Sequence, residues 1–255
     1  MSGLEEADLH IWYRSTAALG PDAMRLADQH LSIEERARRD RFHFEADRRD
    51  FTIAHDLLRR ALSRYADVPP PDWKFATNDY GKLSIESSDP KVRALSFSLS
   101  HTRGCAACAI TARASIGIDV ERIDQSRPAQ EIADQYFTPK EAAQLRECSD
   151  ELRNTRFAEL WTLKEAFLKA LGVGLSGSLS SVPFRFDEHA GIEFSGSSIF
   201  EPKDWHFALF EPIHNMRLAI AIGGVALPLV LMRDDQGDGR NFAPIRSSIS
   251  LVKNI

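Results

Sequence analysis

Cysteine is scarce in this 255-residue chain: there are three, Cys105, Cys108 and Cys148. A sparse, odd count is not a disulfide framework. The pair in "CAAC" invites a zinc or redox reading, but there is no second CxxC and no His or Cys cluster to complete four ligands, which argues against it. It lies inside the apolar run "GCAACAIT", where two small core residues are expected. Long hydrophobic runs are also missing. No stretch approaches eighteen apolar residues, and "MSGLEEADLHIWYRST" has no basic segment followed by an apolar one, so neither a membrane span nor a secretory signal is expected. Nor is there an excess of positive charge. The net charge is −5, and the arginines between residues 36 and 64 are interleaved with Glu34, Glu35, Asp40, Glu45, Asp47, Asp50 and Asp56, which argues against nucleic acid as a partner. The expectation is a cytoplasmic protein that binds neither membrane nor nucleic acid.

What is present is the composition of a soluble globular protein, 43% hydrophobic and 27% charged, long enough for one large domain or two small ones. Residues 31–65 read as a helical region. Ser32 and Glu35 form a possible capping box at its start, and the prolines of "ADVPPPDW" stop it. "WKFATNDYGKLSIES" reads as two short strands about a turn at Asn78–Gly81. In "ALSFSLSHTRGCAACAIT", apolar residues alternate with serines up to His101, "HTRG" breaks the run, and a second strand follows, which predicts a hairpin. A third strand, "SIGIDVERI", has Ile116, Ile118 and Val120 on one face and Gly117, Asp119 and Glu121 on the other. Thr138, Pro139 and Glu141 supply the cap and first turn of the next helix. The last third reads as several strands, and the polar tail from about Arg233 is expected to be loosely held.

The segment "FTIAHDLLR" at 51–59 is echoed by "WTLKEAFLK" at 161–169, and "CAACAI" is echoed near "RLAIAI". Two echoes at nearly one spacing predict two similar α/β halves meeting near residues 111–117. The second helix has additions to the shared apolar plan: Lys164 and Glu165 stand where Ala54 and His55 stand. On a helical wheel Lys164 falls within the apolar arc, and Glu165 and Lys169 sit one turn apart at its edge.

Asp119 and Glu121, two residues apart on a strand, point the same way with roughly 7 Å between their backbones. A cation relieves the repulsion of two such carboxylates, and hard oxygen donors suit Mg²⁺. An exposed acidic strand face would give the same spacing. Glu165 with Lys169 is equally the favourable order of a solvated helix pair, and Lys164 could snorkel past the apolar face.

In order and context, "SLSHTRG", "IGIDVER", "FTPKEAAQL" and "LWTLKEAFLKALGVGL" resemble the successive signature blocks of the Sfp-type 4′-phosphopantetheinyl transferases. The resemblance implies an α+β fold, a pseudo-twofold pair of similar α/β halves with the site in the cleft between them. The halves would be 1–113 and 114–232, followed by a tail at 233–255. It implies a monomeric, cytoplasmic transferase that moves 4′-phosphopantetheine from coenzyme A to a serine of an acyl or peptidyl carrier protein, releasing 3′,5′-ADP, as in secondary metabolite biosynthesis. By motif position, Asp119, Glu121 and Glu165 would hold Mg²⁺, with Mn²⁺ a possible substitute. His101 and Ser100 would contact phosphate, Lys169 the pyrophosphate with Lys164 in support, and Lys82 and Arg38 the coenzyme and its 3′-phosphate. Glu165, Lys169 and His101 are the expected catalytic groups. Glu165, Glu121 and a metal-bound water remain candidates for the base. Leu83 stands where the family usually has Pro. A coenzyme- and carrier-binding module without catalysis would be the alternative, and the presence of Asp119, Glu121, Glu165 and Lys169 argues against it.

Overall fold

The computed structural model describes residues 8–16, 19–112, 114–174, 179–186, 191–195, 204–224, 229–234 and 245–247. Its elements run through one plan twice. In the first round β1 (Asp8–Ser15) leads into helices α1 (Pro21–His30), α2 (Ile33–Arg39) and α3 (Glu45–Leu62). A small hairpin, β2 (Phe75–Thr77) and β3 (Leu83–Ile85), and a helical turn α4 (Pro90–Arg93) then precede the strand pair β4 (Leu95–Thr102) and β5 (Cys105–Ala112). In the second round β6 (Ser115–Arg122) leads into α5 (Ala129–Tyr136), α6 (Pro139–Glu147) and α7 (Asp150–Leu171). A second small hairpin, β7 (Phe184–Phe186) and β8 (Ile192–Phe194), precedes the pair β9 (Trp205–Phe210) and β10 (Met216–Gly223).

Both rounds place the last strand between the other two, giving β1-β5-β4 and β6-β10-β9 with antiparallel pairing throughout. The sequence echo at 51–59 and 161–169 falls on α3 and α7, the equivalent helices of the two rounds. Even a detail repeats: Thr52 and Thr162 each turn the hydroxyl back to the carbonyl four residues earlier, Arg48 and Ala158, at 2.8 Å.

The result is a four-layer α/β/β/α stack. Because strand residues alternate faces, Ile118 and Val120 of β6 meet Leu9, Ile11 and Ala107 of the first sheet, while α7 covers the other face of the second sheet with Ala166 and Phe167. Cys105 and Cys108 are buried, outside any disulfide, on opposite faces of β5, in the small-residue role their apolar context predicts. No helix among the described residues is long and apolar enough to cross a membrane.

Two close approaches fix the site. The edge strands β4 and β6 lie side by side without a main-chain ladder. The serines of "LSFSLSH" bridge them, Ser98 Oγ accepting from Ile118 N–H at 3.1 Å and Ser100 Oγ from Val120 N–H at 3.3 Å. On the other face of β6, Gly117 lets α7 lie against the strand backbone: a Cβ there would sit 1.8 Å from the Ala166 carbonyl oxygen and 2.5 Å from Ala170 N. The glycine of "GID" therefore brings α7 onto the face of β6 that carries the acids.

The structure differs from the sequence reading in two places. The helical region at 31–65 is broken between α2 and α3, where Arg48 Nε donates to the Phe42 carbonyl and Phe42 packs on Phe51. The tail expected from Arg233 onward contains strand: β11 (Leu229–Asp234), which pairs parallel with β1, runs two residues into it, and β12 (Arg246–Ser247) within it pairs with β9. The rest of the expected loose tail lies outside the described residues.

Candidate active-site cleft

The cleft of about 420 Å³ between the two rounds of the fold takes its walls from both. Arg38, His55, Lys82 and His101 come from the first, and Glu165 and Lys169 from α7. Asp119 and Glu121 lie alongside on β6. The expected residues thus converge from α2, the β2–β3 turn, β4, β6 and α7.

At the centre is a closed network. Ser100 Oγ donates to Asp119 Oδ1 at 2.8 Å, and Lys169 Nζ donates to the same carboxylate oxygen at 2.7 Å and to Ser100 Oγ at 2.9 Å. With Val120 N–H the serine hydroxyl has used its one donor and two acceptor positions. Ser100 is therefore a buried bridge between Asp119 and Lys169, its hydroxyl held by both and by Val120 N–H.

Asp119 Oδ2 is buried without a hydrogen-bond partner. Glu121 has Arg127 at 3.3 Å, yet burial first and then the Asp119 charge push its carboxyl above the ordinary range. Glu165 goes further. Burial, then Asp119 and, more weakly, Glu121 raise it to about 7, against the pull of Lys169. Two carboxylates raised in part by the neighbouring charge of Asp119, which itself keeps a bare buried oxygen, make with it a donor set suited to a hard divalent cation. Among the described residues no trio of such side chains is already closed to ligating geometry. Lys169 occupies Asp119 from one side.

His101, at the end of β4, keeps an edge open to solvent. Its enclosure in the cleft, followed by the positive charges of His55, Lys169 and Arg38, lowers it to about 4, so the imidazole is neutral at pH 7 and donates from one nitrogen. Lys82 Nζ donates to the Ala170 carbonyl at the C-terminal end of α7, 2.9 Å away, and burial pulls its pKa below the usual lysine value. Its turn is held by Asn78, whose side-chain oxygen accepts from the backbone N–H of Tyr80 and Lys82 while its amide donates to the Gly172 carbonyl at 3.0 Å. Asn78 thereby fixes the turn that carries Lys82 and Leu83. Arg38 lies over the Phe51 ring, 5.6 Å from its centroid.

Lys164 is not in the cleft. It is 0% exposed and pairs with Glu141 at 2.9 Å, donating also to the carbonyls of Leu179, at 2.9 Å, and Val182. Glu141 in turn caps α6 through Thr138 and accepts from Phe184 N–H at 2.8 Å. From this position, away from the residues that line the cleft, it ties α6, α7 and the segment before β7 into one core. The wheel placed this lysine correctly within the apolar arc, but could not supply the distant Glu141 that makes burial tolerable. The further contacts of Gly117, Asn78 and Glu141 are hidden for the same reason, as their partners lie far away in sequence.

A family model described as the 4′-phosphopantetheinyl transferase superfamily matches residues 115–222, the stretch that contains β6 and α7. The chain is 37% identical over 146 residues to the 4′-phosphopantetheinyl transferase HetI of a Nostoc species, a match covering 57% of this chain and 61% of HetI. It is 31% identical over 170 residues to the 4′-phosphopantetheinyl transferase Sfp of Bacillus subtilis, covering 66% of this chain and 72% of Sfp. Among solved structures, a Bacillus anthracis holo-(acyl-carrier-protein) synthase in complex with coenzyme A is 18% identical with a TM-score of 0.36, over 44% of this chain and 96% of that one. The chain belongs to the 4′-phosphopantetheinyl transferase superfamily.

Proposed function

We propose that this chain transfers the 4′-phosphopantetheine group of coenzyme A to a serine of an acyl or peptidyl carrier protein, leaving 3′,5′-ADP. The observation that carries this reading is the joining of Asp119, Ser100 and Lys169 in one network at the wall of a cleft lined by Arg38, Lys82, His101 and Glu165. Cations on one side and carboxylates on the other suit a polyphosphate held through a divalent ion. Asp119, Glu121 and Glu165 are the residues that would hold Mg²⁺, which when bound neutralises charge on the pyrophosphate oxygens.

The chain's own groups divide the remaining work. Lys169 and neutral His101 donate to phosphate oxygens as the carrier serine displaces the nucleotide, where fixed donors stabilise developing charge. Lys82 and Arg38 bind the nucleotide end, Arg38 taking the 3′-phosphate. Ser100 keeps Asp119 and Lys169 in register. Incubating the protein with Mg²⁺, a fluorescent coenzyme A and a panel of fatty-acid, polyketide and nonribosomal-peptide carriers tests the reading. Covalent labelling of a carrier serine is expected, and no labelling of any carrier type would overturn it.

A further inference from the structure

The two acids of β6 already have cations of the chain beside them. Asp119 is held by Lys169 at 2.7 Å. Glu121 is held by Arg127, whose Nη2 donates to Oε2 at 3.3 Å. Lys169 lies in the cleft wall, where the coenzyme reading gives it a phosphate to hold. Arg127 does not line that cleft, and it falls between the blocks "IGIDVER" and "FTPKEAAQL".

The segment "IDQSRP" after β6 brings Arg127 back to Glu121. Asp124 Oδ1 accepts from the N–H of Ser126 at 2.9 Å and from its hydroxyl at 2.7 Å, and the Asp124 carbonyl accepts from Arg127 N–H at 3.2 Å, which closes a turn. Pro128 then caps α5. The Arg127 guanidinium rests over the Phe157 ring of α7, 5.6 Å from its centroid, and that ring is buried and stacked on Phe137. Arg127 and Glu121 are 27% and 23% exposed, so water screens the pair only in part. A divalent cation on the β6 acids would need the same carboxylate and would repel the guanidinium beside it. Arg127 has a second place to turn: it also lines a hollow of about 260 Å³ with the exposed carboxylates of Glu131 and Asp150.

We propose that Arg127 competes with the divalent cation for Glu121, holding the acid in the metal-free protein and turning toward Glu131 and Asp150 when the cation takes its place. This rests on the reading of Asp119, Glu121 and Glu165 as the metal site, and it adds a residue that sets the affinity of that site. Arg127 is a positioning residue, since it touches Glu121 and not the substrate. By linkage, Arg127 weakens cation binding by the same factor as the cation weakens the ion pair. A pair screened in part by water changes an equilibrium severalfold, so Arg127 loosens the metal without excluding it. The free protein then holds its cation weakly and binds it firmly once coenzyme phosphates complete the ligand shell.

The test is titration of the full chain with Mn²⁺, the free ion being counted by its paramagnetic resonance signal, with coenzyme A absent and then present. Arg127→Met removes the charge and keeps an unbranched chain over Phe157; Arg127→Lys keeps the charge. Without coenzyme, Arg127→Met is expected to bind Mn²⁺ about fivefold more tightly than the wild type, and Arg127→Lys to stay within about twofold of it. Arg103 lines a hollow with Glu121 and Arg127, and its printed ion pair is with Asp47. Arg103→Met therefore removes an equal charge nearby and should change the affinity by less than about twofold. Unchanged or weaker binding by folded Arg127→Met overturns the proposal, because a merely structural arginine would give that sign. Equal tightening by Arg103→Met overturns it too, since net charge would then suffice. Should Arg127→Met fail to fold, Arg127→Gln must show the same tightening or the proposal falls. If the wild type binds Mn²⁺ and the Arg127 variants match it, the Arg127 assignment alone falls; if the wild type binds no Mn²⁺ with or without coenzyme A, the metal reading falls with it.

Discussion

Lys164 Nζ lies 2.9 Å from Glu141 Oε2, and neither side chain is more than 2% exposed. Removing one partner of a buried pair leaves an uncompensated charge, at a cost of about 3–5 kcal/mol. Lys164→Met is therefore expected to lower the stability measured by urea denaturation by about 3 kcal/mol, while the folded fraction keeps its coenzyme affinity. A variant of normal stability but weakened coenzyme binding would return Lys164 to the cleft.

Gly117→Ala forces a methyl group against the main chain of α7 at Ala166 and Ala170. Overpacking against backbone has no flexible neighbour to absorb it, so a loss of about 3 kcal/mol or more is expected in thermal unfolding. Asp119 and Lys169 sit on the two elements driven apart, so transfer activity should fall even where the variant remains folded.

The third expectation concerns pH. Glu165 binds its proton up to about pH 7 in the folded chain, against an ordinary value of 4.5. Folding is thus favoured by this group fully below 4.5, and that contribution is lost as pH rises through about 7. The urea midpoint of the metal-free protein should fall as pH is raised from about 5 to about 8, and Glu165→Gln should reduce the slope. Added Mg²⁺ should reduce it as well, by binding the ionised form.

Ser100→Ala removes a hydroxyl that serves Asp119, Lys169 and Val120 N–H at once. Groups that orient a metal ligand typically matter by about 10–100-fold. The expected result is a drop of that order in turnover with a smaller change in the apparent affinity for coenzyme A. Unchanged turnover would show that Lys169 and Asp119 keep their geometry without the bridge.

The sequence discloses what depends on near neighbours. Period-two alternation in "SIGIDVERI" places Asp119 and Glu121 on one face, and they do share it, toward α7. The caps at Ser32 and Thr138 lie where three-residue spacing puts them, and the echo of 51–59 in 161–169 falls on equivalent helices. Hidden from the sequence are the features created by contacts across the fold. The break before α3 depends on Arg48 reaching back to Phe42, and the saturation of Ser100 depends on three partners from β6 and α7. Lys164 reads as a misplaced charge until Glu141 arrives from another helix, and β12 comes from a stretch whose polar composition suggests no sheet.

Those last two strands have a mechanical consequence. A single segment leaving β10 gives one strand to the first sheet, beside β1, and a later one to the second, beside β9. Together with the serine-bridged seam between β4 and β6, this makes the terminus a stitch across both halves of the duplicated fold. Neither sheet can dissolve without withdrawing a strand or an edge from the other, so the duplicated halves should melt as one cooperative unit, in a single calorimetric transition.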